Sequence, residues 1–393
     1  MHDIYTFLIA LVTILVAAKL LGELAVRFGQ SAIVGELIAG VILGPSVLGI
    51  VGETPVLSGI SELGAIILLF EVGLSSDIKE FAKAGGWAAA VAFVGVILPY
   101  LLGYRVFLHF GLDNTQAVFA GAVLTATSVG ITARVFMDLK KIDTEEAKIV
   151  LGAAVIDDVI GLAILAVVLK LAAGGTVTFG TIAQVSCTAV LFLALAVGAG
   201  LLIAPTIFKY VSKLKQEHAA YIIAFAFCLI ISAVSSKVGL APIVGAFAAG
   251  LVISTIRQKE EIKRDIKPLY VFFVPVFFVL MGTRVDIGTF NPFIVANREI
   301  MLLTAVLFAV AFIGKAAAGF VVFKKGVDRL LIGVSMVPRG EVGLIFAGMG
   351  LKNEVFGPSD YSALVAVIML TTFITPFLLK YMIVRKSKVQ SAK

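Results

Sequence analysis

Apolar runs long enough to cross a lipid bilayer recur from one end of this chain to the other, and they leave it few possible folds. Thirteen can be delimited, at residues 4–27, 31–46, 57–74, 85–109, 114–138, 146–170, 180–209, 218–236, 241–255, 268–283, 299–323, 328–351 and 361–384. A spanning helix needs roughly 20 residues; the second and ninth runs are shorter than that and rich in glycine. In hydrocarbon a backbone must satisfy its own N–H and C=O groups, and runs of this length do so as α-helices. The expected class is therefore an all-α polytopic membrane protein with thirteen transmembrane helices. Only 15% of the 393 residues are charged, against about 25% in soluble domains, so a soluble fold is excluded.

The net charge of +7 does not point to nucleic acid, because the basic residues lie in short loops beside apolar spans. No Rossmann fingerprint, Walker motif or zinc spacing is present. Neither an enzymatic activity nor a cofactor is expected. Cys187 and Cys228 fall inside spans and read as packing residues. The first six residues lack the basic region of a cleaved signal, so the first span is expected to stay as an anchor. Little chain follows the last span, and no soluble regulatory domain is expected. Alternate loops differ sharply in charge. One set carries Lys79, Lys83, Lys140, Lys141, Lys209, Lys213, Arg257, Lys263, Lys324 and the basic C-terminal tail, whereas the other holds only Lys170, Lys237, Arg284, Arg298 and Lys352. The positive-inside rule then puts the N-terminus outside and the C-terminus in the cytoplasm.

Two halves of the chain resemble each other. Ala32-Ile-Val-Gly-Glu-Leu-Ile-Ala-Gly-Val-Ile-Leu43 matches Pro242-Ile-Val-Gly-Ala-Phe-Ala-Ala-Gly-Leu-Val-Ile253 at five of twelve positions, at an offset of 210. Gly73 and Asp77 fall opposite Gly282 and Asp286 at 209, and Thr125 and Gly130 opposite Ser335 and Gly340 at 210. The paired spans lie seven apart. An odd separation makes the copies enter the membrane from opposite sides, the inverted repeat of secondary transporters. The fifth and twelfth spans, which are such a pair, carry helix breakers at their centres: Thr125-Ala-Thr-Ser-Val-Gly130 and Val337-Pro-Arg-Gly-Glu341. Backbone groups freed at membrane depth are tolerated inside protein or along a wet cavity. Two broken helices are therefore expected to cross beside a substrate site.

Asp157 and Asp158 sit in the middle of the sixth span, with Lys148 and Lys170 at its ends. A carboxylate at that depth costs roughly 2.5–3.5 kcal/mol on insertion scales and marks a path for water, protons or cations. Lys315 and Asp157 each lie nine residues from the basic residue at the cytoplasmic end of their span, about 13 Å deep at 1.5 Å per residue. Ser128 and Arg339 come to a similar depth. Neighbouring helical residues point about 100° apart, so one aspartate can face Lys315 while the other faces a cavity. Carboxylate oxygens with the hydroxyls of Thr127 and Ser128 are hard ligands suited to a small cation. Arg339 and Glu341 are read first as compensation for half-helix ends. Glu36, Glu62 and Glu71 are further intramembrane acids, Glu71 being placed at a cytoplasmic access funnel or a gate. Arg134 is expected in the headgroup region, and Lys19 with Glu23 as an interfacial pair.

These motifs, with Gly44-Pro45, Ala126-Thr-Ser-Val-Gly-Ile-Thr-Ala-Arg134, Gly152-Ala-Ala-Val-Ile-Asp-Asp158, Gly314-Lys315 and Pro338-Arg-Gly-Glu-Val-Gly343, resemble the monovalent cation:proton antiporter-2 family over essentially the whole chain. The likeness is to its NapA-type sodium/proton antiporters. It implies a thirteen-helix NhaA-like fold, a homodimer in the prokaryotic cytoplasmic membrane, a role in pH homeostasis, and elevator-like alternating access. Residues 57–170 and 268–384 would contribute mainly to a mobile core, and 1–50 and 180–255 to a dimerisation domain. By the resemblance Asp158 binds the transported Na+, Asp157 pairs with Lys315, and Thr127 and Ser128 lie at the crossing. Two protons would exchange for one cation, with Na+, Li+ or K+ and H+ as partners. Ser75 stands where many relatives carry an acid. A potassium/proton exchanger or a sodium-coupled organic-anion symporter on the same fold is the alternative, and a channel or sensor the remaining class.

Overall fold

Helix boundaries follow the punctuation of the sequence. Thr54 caps a helix that opens on Pro55 by accepting from the Leu57 N–H. Asp113 and Gln116 form a reciprocal capping box, and Asp328 caps by accepting from the Leu331 N–H, each satisfying donors that a helix start leaves unpaired. The computed structural model describes residues 4–172, 179–214, 216, 218–285, 288 and 295–391. In chain order the helices are α1 Ile4–Arg27, α2 Ala32–Leu43, α3 Pro55–Ser75, α4 Ile78–His109, α5 Asn114–Val123, α6 Val129–Asp138, α7 Glu145–Ala172, α8 Phe179–Val211, α9 Ala219–Lys237, α10 Pro242–Ile253, α11 Lys259–Thr283, α12 Val295–Ala318, α13 Arg329–Ser335, α14 Glu341–Lys352 and α15 Pro358–Ser391. No strand occurs among the described residues. Eight helices among those residues are long and apolar enough to cross a membrane, and α2 and α10 are shorter apolar helices. The protein is an all-helical, multi-pass membrane protein.

Two of the thirteen apolar runs are each two helices. The run at 114–138 is interrupted between α5 and α6, and that at 328–351 between α13 and α14. Pro338 lacks the N–H a continuous helix needs. The two interruptions meet: the Ser128 N–H donates to the Pro338 carbonyl at 2.7 Å. A Cβ on Gly340 would lie 2.6 Å from Ser128 Oγ, so a glycine is what lets the segments touch. Gly130 is not part of the first break. It lies inside α6, because the chain regains helical hydrogen bonding as soon as Ser128 has turned it.

The helices pack in two groups. One comprises α1, α2, α3, α9, α10 and α11; the other comprises α4 to α7 and α12 to α15. Helix α8 touches both, through α10 and α7. Between the groups, α6 lies against α2 and α3, and α15 against α2. The sequence reading puts the 57–74 and 268–283 spans with the 85–170 block. In the packing, α3 and α11 side with α2, α9 and α10. The physical reason is glycine. A Cβ on Gly64 would lie 2.4 Å from the Phe273 carbonyl oxygen of α11, and one on Gly73 2.3 Å from that of Phe247 on α10. Backbones this close pack α3 tightly against α10 and α11.

The same contacts join positions that the sequence offset of 209–210 relates. Gly40 of α2 abuts Val279 and Gly282 of α11, and Gly250 of α10 abuts Phe70 and Gly73 of α3. Shifting Gly40 by 210 gives Gly250, and shifting Gly73 by 209 gives Gly282, so each contact is the other with its halves exchanged. Gly35 against Leu21 and Gly245 against Ile231 correspond by the same shift of 210, each contact lying within one half. Reciprocal exchange of this kind is what a two-fold relation between two copies produces. Gly40→Ala, whose Cβ would lie 2.0 Å from the Val279 carbonyl oxygen, is expected to destabilise the protein by at least about 1–3 kcal/mol through overpacking. Gly198→Ala, with no neighbour within 4 Å, should melt like the parent. Thermal unfolding in detergent measures both, and equal melting temperatures would contradict the packing.

Candidate functional site

The depth estimate from sequence brings Asp157 and Lys315 to one layer, and the structure brings them into contact. Lys315 Nζ lies 3.2 Å from Asp157 Oδ2 and 3.4 Å from Oδ1. Both side chains are sealed from solvent. The Thr127 hydroxyl, which donates to the Met336 carbonyl at 3.4 Å, lies near the same carboxylate. Asp157 thus lies beside the helix break and is bound to α12. A buried pair of this kind holds its parts together only while both members are present, since removing one leaves an uncompensated charge.

Asp158, one step round α7, points elsewhere. It is half-buried and lines a cleft with Leu69, Val129, Leu151, Val155, Ile243, Val244 and Phe247. These residues come from α3 and α10 on one side and from α6 and α7 on the other, so Asp158 lies on the seam between the two helix groups. Ile243 also lines a cavity of about 290 Å3 that includes Glu53, Ser58, Ser61, Glu62, Phe277, Met281, Arg284 and Val342. Glu53 and Arg284 pair there at 2.6 Å. Glu62 is exposed at this cavity.

Arg339 is fully buried; its two Nη groups donate to backbone carbonyls, and its Nε has no hydrogen-bond partner. Nη1 donates to the Val337 carbonyl at 3.0 Å, and Nη2 to those of Leu124 at 2.7 Å and Ala311 at 3.4 Å. Leu124 and Val337 follow the C-terminal ends of α5 and α13, where helix carbonyls carry partial negative charge. The guanidinium therefore neutralises the two half-helix ends that the breaks create, and the Thr372 hydroxyl donates to the Arg339 carbonyl. Ser128 Oγ is buried beside Gly340 without a hydrogen-bond partner. Glu341 opens α14 at its positive end; its side chain lies outside the described residues.

Two expectations need correction. Arg134 does not reach out of the protein toward headgroups. It is buried, its Nη2 3.5 Å from Glu36 and its Nε 2.9 Å from Asp138, and it lies over the rings of Tyr270 and Phe278. Glu23 pairs with Arg27 at 3.0 Å, because both extend into solvent one turn apart. Glu71, also buried, pairs with Lys267 at 3.6 Å, at the same end of the molecule as Arg134. The residues missed from sequence are Asp138 and Thr372, and Glu36 was recognised as an intramembrane acid without its partner Arg134. The four-residue spacing of Arg134 and Asp138 was the available signal.

Comparison with known proteins gives one answer. The model of the transmembrane sodium/hydrogen exchanger family matches residues 7–385. The chain is 37% identical to the high-affinity Na+/H+ antiporter NhaS3 of Synechocystis sp., covering 94% of this chain and 88% of that protein. It is 36% identical to the Na+/H+-K+ antiporter GerN of Bacillus cereus, covering 99% of each. Among solved structures, the sodium proton antiporter MjNhaP1 of Methanocaldococcus jannaschii superimposes with a TM-score of 0.69 at 16% identity, covering 97% of this chain and all of that one. That likeness speaks for the fold.

Proposed function

The chain belongs to the transmembrane sodium/hydrogen exchanger family, and we propose that it is a secondary antiporter exchanging Na+ for H+ at Asp158. The observation that carries this reading is the division of labour between adjacent carboxylates. Asp157 is neutralised by a sealed lysine, while Asp158 lies on a cleft at the seam of two helix groups. A carboxylate there is a hard ligand for a small cation and equally a proton acceptor, so the two compete. Thr127 and Ser128, at the junction of the breaks, complete the binding region. Arg339, Glu341 and Glu71 support it by holding helix ends and the inner face.

The reading includes thirteen crossings, with α5–α6 and α13–α14 each forming one interrupted span, and halves related as an inverted repeat. Alternating access then consists of an elevator-like movement of the α4–α7 and α12–α15 group against the α1–α3 and α9–α11 group. This division runs one helix later than the sequence-based one, and the glycine contacts of α3 support it. The stationary group would form the homodimer. The cavity at Glu53 and Arg284 would be the open vestibule, facing outside if the N-terminus is outside and the C-terminus cytoplasmic, as the loop charges favour. The name of GerN includes K+, so K+ and Li+ belong in the substrate screen.

Vesicles containing the purified protein, loaded with Na+ and diluted into Na+-free medium, should acidify inside as Na+ leaves and protons enter. With two protons per cation the exchange moves net positive charge inward, and clamping the voltage with valinomycin and K+ should accelerate it. No Na+-dependent pH change, or Na+-driven uptake of an organic anion, would reject the assignment.

A further inference from the structure

Arg134 is the charged side chain with which α6, a member of the group assigned above to movement, enters the other group. Its Nη2 reaches Glu36 of α2 at 3.5 Å, and its guanidinium lies 5.1 Å from the Tyr270 ring centre of α11. One turn further, Asp138 holds Arg134 Nε at 2.9 Å and accepts a 2.5 Å hydrogen bond from the Ser31 hydroxyl at the start of α2. Two polar links therefore cross the seam at one place, and both join α6 to α2. Val129 lines the Asp158 cleft. Arg134 lies five residues further along α6, about 7.5 Å away along the axis. The vestibule is at the other end, since it takes Ser58, Ser61 and Glu62 from the beginning of α3, whereas Glu71 and Lys267 mark the Arg134 end. Arg134 therefore stands between Asp158 and the face on which Lys324 pairs with Glu145.

We infer that Arg134, with Glu36, Asp138 and Ser31, forms an ionic latch between the two helix groups that closes this face, and must open for Asp158 to be reached from it. The inference rests on the antiport reading above, because a latch of this kind has a role only in a carrier that alternates. The pairing is built to separate. The Arg134–Glu36 contact is long for a charge-assisted bond, Arg134 Nη1 and Glu36 Oε2 have no hydrogen-bond partner, and Asp138 keeps Arg134 oriented after release. Arg134 is thus a positioning residue that sets the balance between two access states.

Cross-linking tests this directly. In a background with Cys187 and Cys228 replaced by alanine, Ser31→Cys and Asp138→Cys are joined with a short reducible bis-thiosulfonate. Exchange in vesicles is expected to fall about tenfold or more, because one of the two access states is removed, and to return on reduction. Undiminished exchange in the linked protein would overturn the latch, and failure of the link to form would overturn the contact. Loss of exchange in the unmodified parent would instead reject the antiport reading. A second measurement covers the case in which the reduced double-cysteine protein is inactive. With a single reporter, Val155→Cys, labelling by an impermeant maleimide from the Lys324 face should accelerate on Arg134→Gln and on Glu36→Gln, with no further gain in the double variant. Unchanged labelling, or additive gains, would contradict the inference.

Discussion

Asp158→Asn is expected to abolish Na+-driven proton exchange while leaving the protein folded. The amide keeps the shape of the carboxylate but neither carries charge nor titrates between pH 5 and 9. Losing a charge-assisted contact of roughly 3 kcal/mol weakens cation binding by about two orders of magnitude, and coupling to protons disappears with the titratable group. Because Asp158 is half-buried on a cleft and is not part of the sealed ion pair, its melting temperature should stay near that of the parent. Exchange at the parent's rate in vesicles would remove Asp158 from the mechanism. Unfolded protein would show that its part is structural.

The opposite pattern is expected at Lys315. Its Nζ and the Asp157 carboxylate are closed off from solvent, so Lys315→Met leaves Asp157 buried and uncompensated, at a cost of about 3–5 kcal/mol. Asp157→Asn leaves Lys315 in the same position. Combining Lys315→Met with Asp157→Asn removes both charges, and much of the lost stability should return. Thermal unfolding of the two single variants and the double gives the coupling. Exchange by the Lys315 variant, where it survives, should have a displaced pH profile, because the charge facing Asp157 is gone. Single variants that melt with the parent, or losses that simply add in the double, would show that the pair does not hold α7 to α12.

Much of this site could be read from sequence because a membrane makes charge costly. Only a few ionisable residues enter the spans, and equal distances from the flanking lysines bring Asp157 and Lys315 to the same depth. The breaks were legible for a similar reason, since Pro338 in mid-span has no helical explanation. The extent of the first break was not, because glycine, although a poor helix former, is found in helices as well as in turns, and Gly130 lies within α6. Arg134 was misplaced for a physical reason as well. Its depth along the chain fits a headgroup position, and its burial depends on Glu36 and Tyr270, which are remote in sequence and come together only in the packed structure. The grouping of α3 and α11 was likewise hidden, because it depends on which backbones approach through glycine. Apolar periodicity does not distinguish a neighbouring helix from lipid.

The central claim is that protons and Na+ compete for one carboxylate reached in turn from the two faces. The most direct test is the Na+ concentration for half-maximal exchange as a function of pH, measured by electrical recording on reconstituted membranes. As pH falls, that concentration should rise about tenfold per pH unit for each proton that competes with Na+, while the maximal rate at saturating Na+ is preserved. A half-saturating concentration independent of pH, with acid lowering only the maximal rate, would contradict it.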